Sequence, residues 1–199
     1  MNNILVKLVM ALALAFALPL QADDYITSVF NTSANGTASA TVFVPRGAGI
    51  AHITDVSYDL DTLVTTGTID IHQAESEQSI TSATASGSVL WFDNDTPTHV
   101  AALEYVIFYD VSTNTYYLYR TTASAATSVT IQETLSAATT TADKIYPCKA
   151  VSRRHAPNVV SSTLGVADIW LPSDLPSALT LDGNTTSCRL SISGVRIKN

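Results

Sequence analysis

The chain lacks most of what marks an enzyme or a nucleic-acid binder. No G-x-S-x-G elbow, H-E-x-x-H pair or glycine-rich loop ending in Gly-Lys-Ser/Thr occurs, so the common serine-hydrolase, zinc-protease and phosphate-binding signatures are missing. Gly47 and Gly49 form a pair with no third glycine and no helical pattern behind them. Pro45-Arg46-Gly47-Ala48-Gly49 therefore reads as a tight connection between strands. Basic residues are scarce, 10 Lys and Arg against 17 Asp and Glu, for a net charge of −7. A surface of that sign repels phosphate backbones and anionic lipid, so no nucleic-acid partner is expected. No cofactor or metal is implied, and no catalytic residue is assigned.

Long apolar runs are also absent, with one exception. Met1–Lys7 is short and carries one base, Leu8–Leu20 is uncharged and rich in Leu, Ala and Val, and Gln21-Ala22 leads into Asp23-Asp24. A basic start, an apolar centre and a small residue at the cut make the plan of a secretory signal peptide. The run is shorter than the roughly 20 residues of a spanning helix. Residues 1–22 are read as the signal, with Ala17 a second candidate cut, and residues 23–199 as a single domain. The expected location is secreted: extracellular, cell-surface or periplasmic, with no membrane span in the mature chain. Removal of residues 1–22 takes away Lys7 and no acid, so the mature chain is more acidic still.

Cysteine is scarce too: Cys148 and Cys188 are the only two, both in the mature part. Export to an oxidising compartment and an even count predict a disulfide between them.

What the chain does contain is a cadence of short apolar-alternating runs punctuated by turns. Thr68–His72 puts Ile69 and Ile71 on one face and Asp70 and His72 on the other, and Ser128–Gln132 repeats the pattern. Cys188, Leu190 and Ile192 share a face of the last strand. Val195 and Ile197 have the opposite parity, and a bulge at Gly194 would restore one buried face. Val100–Tyr109 is apolar at both parities apart from Glu104, as in a strand covered on both sides. The turn Asp110–Asn114 predicts a hairpin between Tyr105–Tyr109 and Tyr116–Tyr119. Asp93–Pro97 and Asp182-Gly183-Asn184 are further turns. Other strands are expected over Thr41–Val44, Ile50–Tyr58, Ile80–Ala83, Val89–Phe92, Lys144–Ala150, Ala167–Leu171 and Ala178–Leu181. Gln73–Gln78 and Glu133–Asp143 fit either a loop or a single helical turn. The expectation is all-β: a single-domain β-sandwich or jelly roll of roughly ten short, mainly antiparallel strands.

The residues that could carry chemistry are dispersed. His52, His72, His99 and His155 stand singly, and Asp70 with His72 reads as a solvated pair on one strand face. Asp55, Asp59 and Asp61, then Asp93 and Asp95, read as turn formers, lacking the glycine and bidentate glutamate of a calcium loop. Arg153-Arg154-His155 is the one concentration of positive charge in the mature chain and reads as an exposed loop. Tyr105, Tyr109, Tyr116, Tyr117 and Tyr119 fit either cross-strand packing or a sugar platform. Sequons stand at Asn31, Asn35, Asn94 and Asn184.

In size, signal and cysteine count the chain resembles secreted fimbrial subunits. It departs from them in its late cysteines and its final Val195-Arg196-Ile197-Lys198-Asn199. In cadence, with the Tyr109–Tyr117 hairpin and the closing Leu181-Asp182-Gly183, it is similar to small virion proteins that decorate capsids or tails. Neither resemblance rests on a specific motif, so no family is recognised. The function expected is a secreted, non-catalytic structural or surface-assembly protein, a coat, appendage or virion-type subunit. Its partners would be further copies of itself or other surface proteins, with a glycan as a further candidate. The alternative is a secreted carbohydrate- or ligand-binding module. A jelly-roll hydrolase would need two converging carboxylates from Glu104, Glu133, Asp70 and Asp168.

Overall fold

The computed structural model describes residues 22–32, 39–44, 46–60, 67–84, 87–93, 105–135, 138–156, 161–163, 169–172, 174–182 and 187–197. They form fourteen strands and no helix: β1 (Ala22–Thr32), β2 (Ser39–Val44), β3 (Ile50–Leu60), β4 (Gly67–Ala74), β5 (Gln78–Ser82), β6 (Val89–Phe92), β7 (Tyr105–Asp110), β8 (Thr115–Ala125), β9 (Ser128–Ile131), β10 (Lys144–Ala156), β11 (Ser161–Thr163), β12 (Ile169–Pro172), β13 (Ser177–Asp182) and β14 (Ser187–Ile197). The chain is all-β, as its alternation predicts, and every pairing between these strands is antiparallel.

Two sheets result. The smaller runs β1-β14-β3, with β11 and β12 end to end along the far edge of β3. The larger runs β2-β13-β4-β10-β5-β6-β9-β8-β7, and β7 pairs back onto β10. That last pairing closes β10, β5, β6, β9, β8 and β7 into a six-strand ring, a barrel without edges. The sequence-based expectation of a sandwich or jelly roll did not contain this ring. Its closure depends on Lys144–Cys148 pairing with Tyr105–Tyr109, and periodicity does not report which strands meet.

Strand β10 joins the two parts. Its first residues pair with β5 and β7 in the barrel, and from Cys148 onward it pairs with β4. Where β4 gives way to β5, the Pro147 carbonyl accepts the Glu75 amide at 2.9 Å. Arg153-Arg154-His155, expected as an exposed loop, is strand: it continues β10, paired with Thr68–Asp70 of β4.

Three apolar cores follow from strand parity. Between the two sheets lie Val42 and Val44 of β2, Ile69 and Ile71 of β4, Leu179 and Leu181 of β13, and Ile53, Val56, Tyr58, Leu190 and Ile192 of the smaller sheet. Inside the barrel lie Ile80, Leu90, Phe92, Val106, Phe108, Tyr119, Val129, Ile131 and Ile145. The third core, with Ala74, Ile107, Tyr146, Cys148 and Ala178, forms where the outer wall of the barrel lies against the back of the β2-β13-β4 sheet, with Phe43, Tyr109, Tyr116 and Leu118 around it. Val106, Ile107 and Phe108 are thus all buried, as the two-sided apolar run predicts.

The β7–β8 hairpin is present as expected. The Asp110 carboxylate accepts the Ser112 amide (2.8 Å), the Ser112 hydroxyl (2.7 Å) and the Thr113 amide (3.2 Å). Asn114 closes the turn in the left-handed region, φ 54°, which asparagine tolerates better than most residues.

Candidate functional site

The outer face of the smaller sheet is divided. At one end it is polar: Ser57, Asp59, Arg189 and Ser191 surround a shallow depression. At the other end Ile50 (42% exposed) and Trp170 (50%) stand outward, and Val195 and Ile197 beside them are half-buried. The register places them together, Ile50 opposite Ile197 and Pro172, His52 opposite Val195 and Trp170. The Trp170 indole stacks on the His52 ring, centroids 3.9 Å apart and planes 5° from parallel.

This patch exists because a bulge falls on the other strand from the one expected. The register shift does come at Ser193/Gly194, but β14 keeps its alternation through it. The additional residue is on β3, between Ile53 and Asp55, so the buried set switches from Ala51 and Ile53 to Val56, Tyr58 and Leu60. Gly194 stays on the buried side, and Val195 and Ile197 remain outward.

A second feature lies where the barrel wall meets the back of the larger sheet. Thr41 of β2, Thr180 of β13, Tyr105 of β7, Leu118 and Arg120 of β8, and Gln132 and Glu133 just after β9 line a cleft of about 230 Å³. Under it His72 Nε2 lies 3.0 Å from Thr180 Oγ1, and the His72 ring lies 4.3 Å from that of Tyr105. Asp70 (4% exposed) and His72 (2%) are therefore not the solvated pair that alternation suggests. Strand β4 lies between β13 and β10, and its polar face is covered by the barrel wall.

Below the third core a polar latch ties the β2–β3 connection to the barrel. Arg46 donates to the Tyr116 hydroxyl (3.3 Å), the Tyr146 hydroxyl (3.1 Å) and the Asp174 carbonyl (2.7 Å). Tyr146 in turn donates to Glu77 at 2.7 Å, and Lys144 lies 3.9 Å from the same carboxylate. Burial is the main cause of a strongly raised Tyr146 pKa, with the Glu77 hydrogen bond second, so the phenol stays protonated as a donor. In the same connection, a Cβ on Gly47 would meet the Arg196 guanidinium, the far end of a flexible side chain that can move aside.

The tyrosines do not form an open platform. Parity is as expected, but Tyr119 turns into the barrel with Tyr117 packed beside it, and Tyr105 and Tyr109 face the larger sheet. Tyr109 and Tyr116 stack as a cross-strand pair, centroids 4.5 Å apart. Among the described residues the exposed large aromatics are instead Trp91 and Trp170. Each stands alone in the sequence, and only its outward parity beside buried neighbours could have pointed to it.

The disulfide expected between Cys148 and Cys188 is not formed. Cys188 points into the core between the two sheets, whereas Cys148 lies on the opposite face of the larger sheet, in the core against the barrel wall. The intervening sheet separates them. The Cys148 thiol donates to the Tyr146 carbonyl at 3.2 Å, and burial pushes its pKa up to about 12.

Among the described residues no group of three or more His, Cys, Asp or Glu could hold a metal ion. Of the four carboxylates considered for hydrolysis, Asp70 is buried and Glu133 is exposed at the cleft. Glu104 and Asp168 lie outside the described residues, as do His99, Asp61, Asp95, the sequons at Asn35, Asn94 and Asn184, and residues 1–21 of the expected signal. No helix among the described residues is long and apolar enough to cross a membrane.

No family model matches the chain, and no curated protein is similar to it. Among solved structures, VP17, a capsid protein of bacteriophage P23-77, aligns over 90% of this chain and 98% of its own at 10% identity, with a TM-score of 0.21. A mutant VP2 protein of Infectious Bursal Disease Virus, from derived T=1 particles, aligns over 89% of this chain and 40% of its own at 9% identity, with a TM-score of 0.14. Superpositions this loose define neither the fold nor the role of the chain. What the geometry defines is an all-β protein with an outward apolar patch on one sheet and a polar cleft at the barrel junction.

Proposed function

We propose that the chain is a secreted, non-catalytic structural subunit of a surface or virion-type assembly, and that the patch around Trp170 is where it meets a second copy. In this reading the two sheets over the first core are the halves of a β-sandwich, and the barrel is built onto one of them. The observation that carries the reading is the patch itself. Ile50, Trp170, Val195 and Ile197 turn outward together on a sheet whose other end is Ser, Asp and Arg. Apolar groups gathered on one exposed face mark contact surfaces, and tryptophan is the side chain most often found at their centre.

Light scattering over a concentration series, with electron microscopy of the concentrated protein, tests it. The expected result is association of the native chain, reversed to monomer by Trp170→Ser with Ile50→Ser and with no fall in melting temperature. A native chain that stays monomeric, or a double variant that associates as before, overturns the reading.

A further inference from the structure

The cleft between the barrel wall and the larger sheet belongs to neither the cores nor the patch, and its lining has a definite chemistry. Arg120 offers only donors and Glu133 only acceptors. The hydroxyls of Thr41, Thr180 and Tyr105 and the amide of Gln132 offer both. Neither charge has an ion-pair partner among the described residues. Their opposition sets the ligand's charge: a carboxylate drawn to Arg120 meets Glu133, and an ammonium drawn to Glu133 meets Arg120. A neutral molecule dense in hydroxyls satisfies both.

Size and shape narrow it further. At about 230 Å³ the cleft is smaller than the pockets of about 300–1,000 Å³ that take drug-sized ligands, and it suits a single ring. The exposed lining is almost wholly polar, which suits a ligand held by hydrogen bonds from its hydroxyls. The floor is held before any ligand arrives, because Tyr105 packs on His72 and His72 is hydrogen-bonded to Thr180. A site ordered in advance loses less entropy on binding.

We propose that this cleft binds one neutral sugar residue, with Arg120 and Glu133 gripping its hydroxyls from opposite sides. The assignment is independent of self-association through the Trp170 patch. A subunit can carry both.

Saturation-transfer NMR on the full exported chain tests it, with the methyl glycosides of glucose, galactose, mannose and N-acetylglucosamine as probes. At least one should bind with a Kd on the order of 1 mM. Arg120→Ala and Glu133→Gln, both at exposed positions, should each weaken that binding about tenfold, roughly a 1.4 kcal/mol change, with the melting temperature unmoved. Trp91→Ala, on the outside of the barrel, should leave it unchanged. Failure of all four glycosides overturns the proposal, and so does binding that persists undiminished in both cleft variants. Acetate or phosphate binding more tightly than any glycoside, and lost in Arg120→Ala alone, overturns it in favour of an anion site.

Discussion

The Tyr146 hydroxyl stands between two opposite charges, donating to Glu77 Oε2 at 2.7 Å and accepting from Arg46 Nη1 at 3.1 Å. Tyr146 is itself fully buried, and Arg46 also lies over its ring, 5.6 Å from the centroid. Tyr146→Phe keeps the ring and removes only the group that joins guanidinium to carboxylate. Hydrogen bonds to charged groups contribute about 1.5–3 kcal/mol, and the partial exposure of Arg46 and Glu77 places this pair at the low end. Urea unfolding should show a loss of about 1.5 kcal/mol. An unchanged midpoint would mean that the latch contributes nothing to stability.

The hairpin turn predicts a pH dependence. The Ser112 hydroxyl bond to Asp110, with further bonds from the Thr113 and Ser112 amides, holds the Asp110 carboxyl below the usual carboxylate range. Its folded-state pKa is therefore lower than its unfolded one. The stability it supplies is present above the unfolded value, near 3.9 for aspartate, and is lost as pH falls through the folded value. Ser112→Ala should lower the melting temperature at pH 7 and flatten the acid limb below about pH 4, so that the two profiles converge in acid. A parallel acid limb in the variant would refute this.

The two cysteines should behave as buried thiols. A thiol with its pKa raised to about 12 holds almost no thiolate at neutral pH, so Cys148 should resist iodoacetamide in the native protein. Alkylation in urea without reductant, followed by intact mass spectrometry, should label both Cys148 and Cys188. A chain that takes no label in urea until it is reduced would restore the bridge.

Barrel and sheets should unfold together, since β10 is a stave of one and a strand of the other. The only two tryptophans report on the two parts: Trp91 lies on the barrel and Trp170 on the smaller sheet. Unfolding followed in Trp91→Phe and Trp170→Phe should give coincident transitions. Leu90→Ala, emptying part of the barrel interior at a cost of about 2–5 kcal/mol, should move both signals equally. A shift confined to Trp91 would mean that the barrel opens alone.

Cleavage after Ala22 leaves all of β1 from Asp23 to Thr32 in register with β14. N-terminal sequencing of exported protein should begin at Asp23. An intact Met1 in a membrane fraction would sink the secreted reading.

Much of this was present in local order. Alternation at Ile69/Ile71, Val129/Ile131 and Cys188/Leu190/Ile192, with turn residues between runs, determines strands, their inward faces and the Tyr105–Tyr119 hairpin, because side chains on a strand alternate between faces whatever the strand meets. What the strand meets is decided elsewhere. Asp70 and His72 look solvated until the barrel wall covers them. Cys148 and Cys188 look like a pair until a sheet stands between them. The register shift near Gly194 is legible, but which of β3 and β14 carries the additional residue depends on how Ser193 and Gly194 pair with Asp55 and Ile53. The closure of β7 on β10, the cleft beneath Arg120 and the outward turn of Trp170 all arise from pairings between residues distant in sequence, and these are chosen by the burial of whole faces rather than by any local pattern.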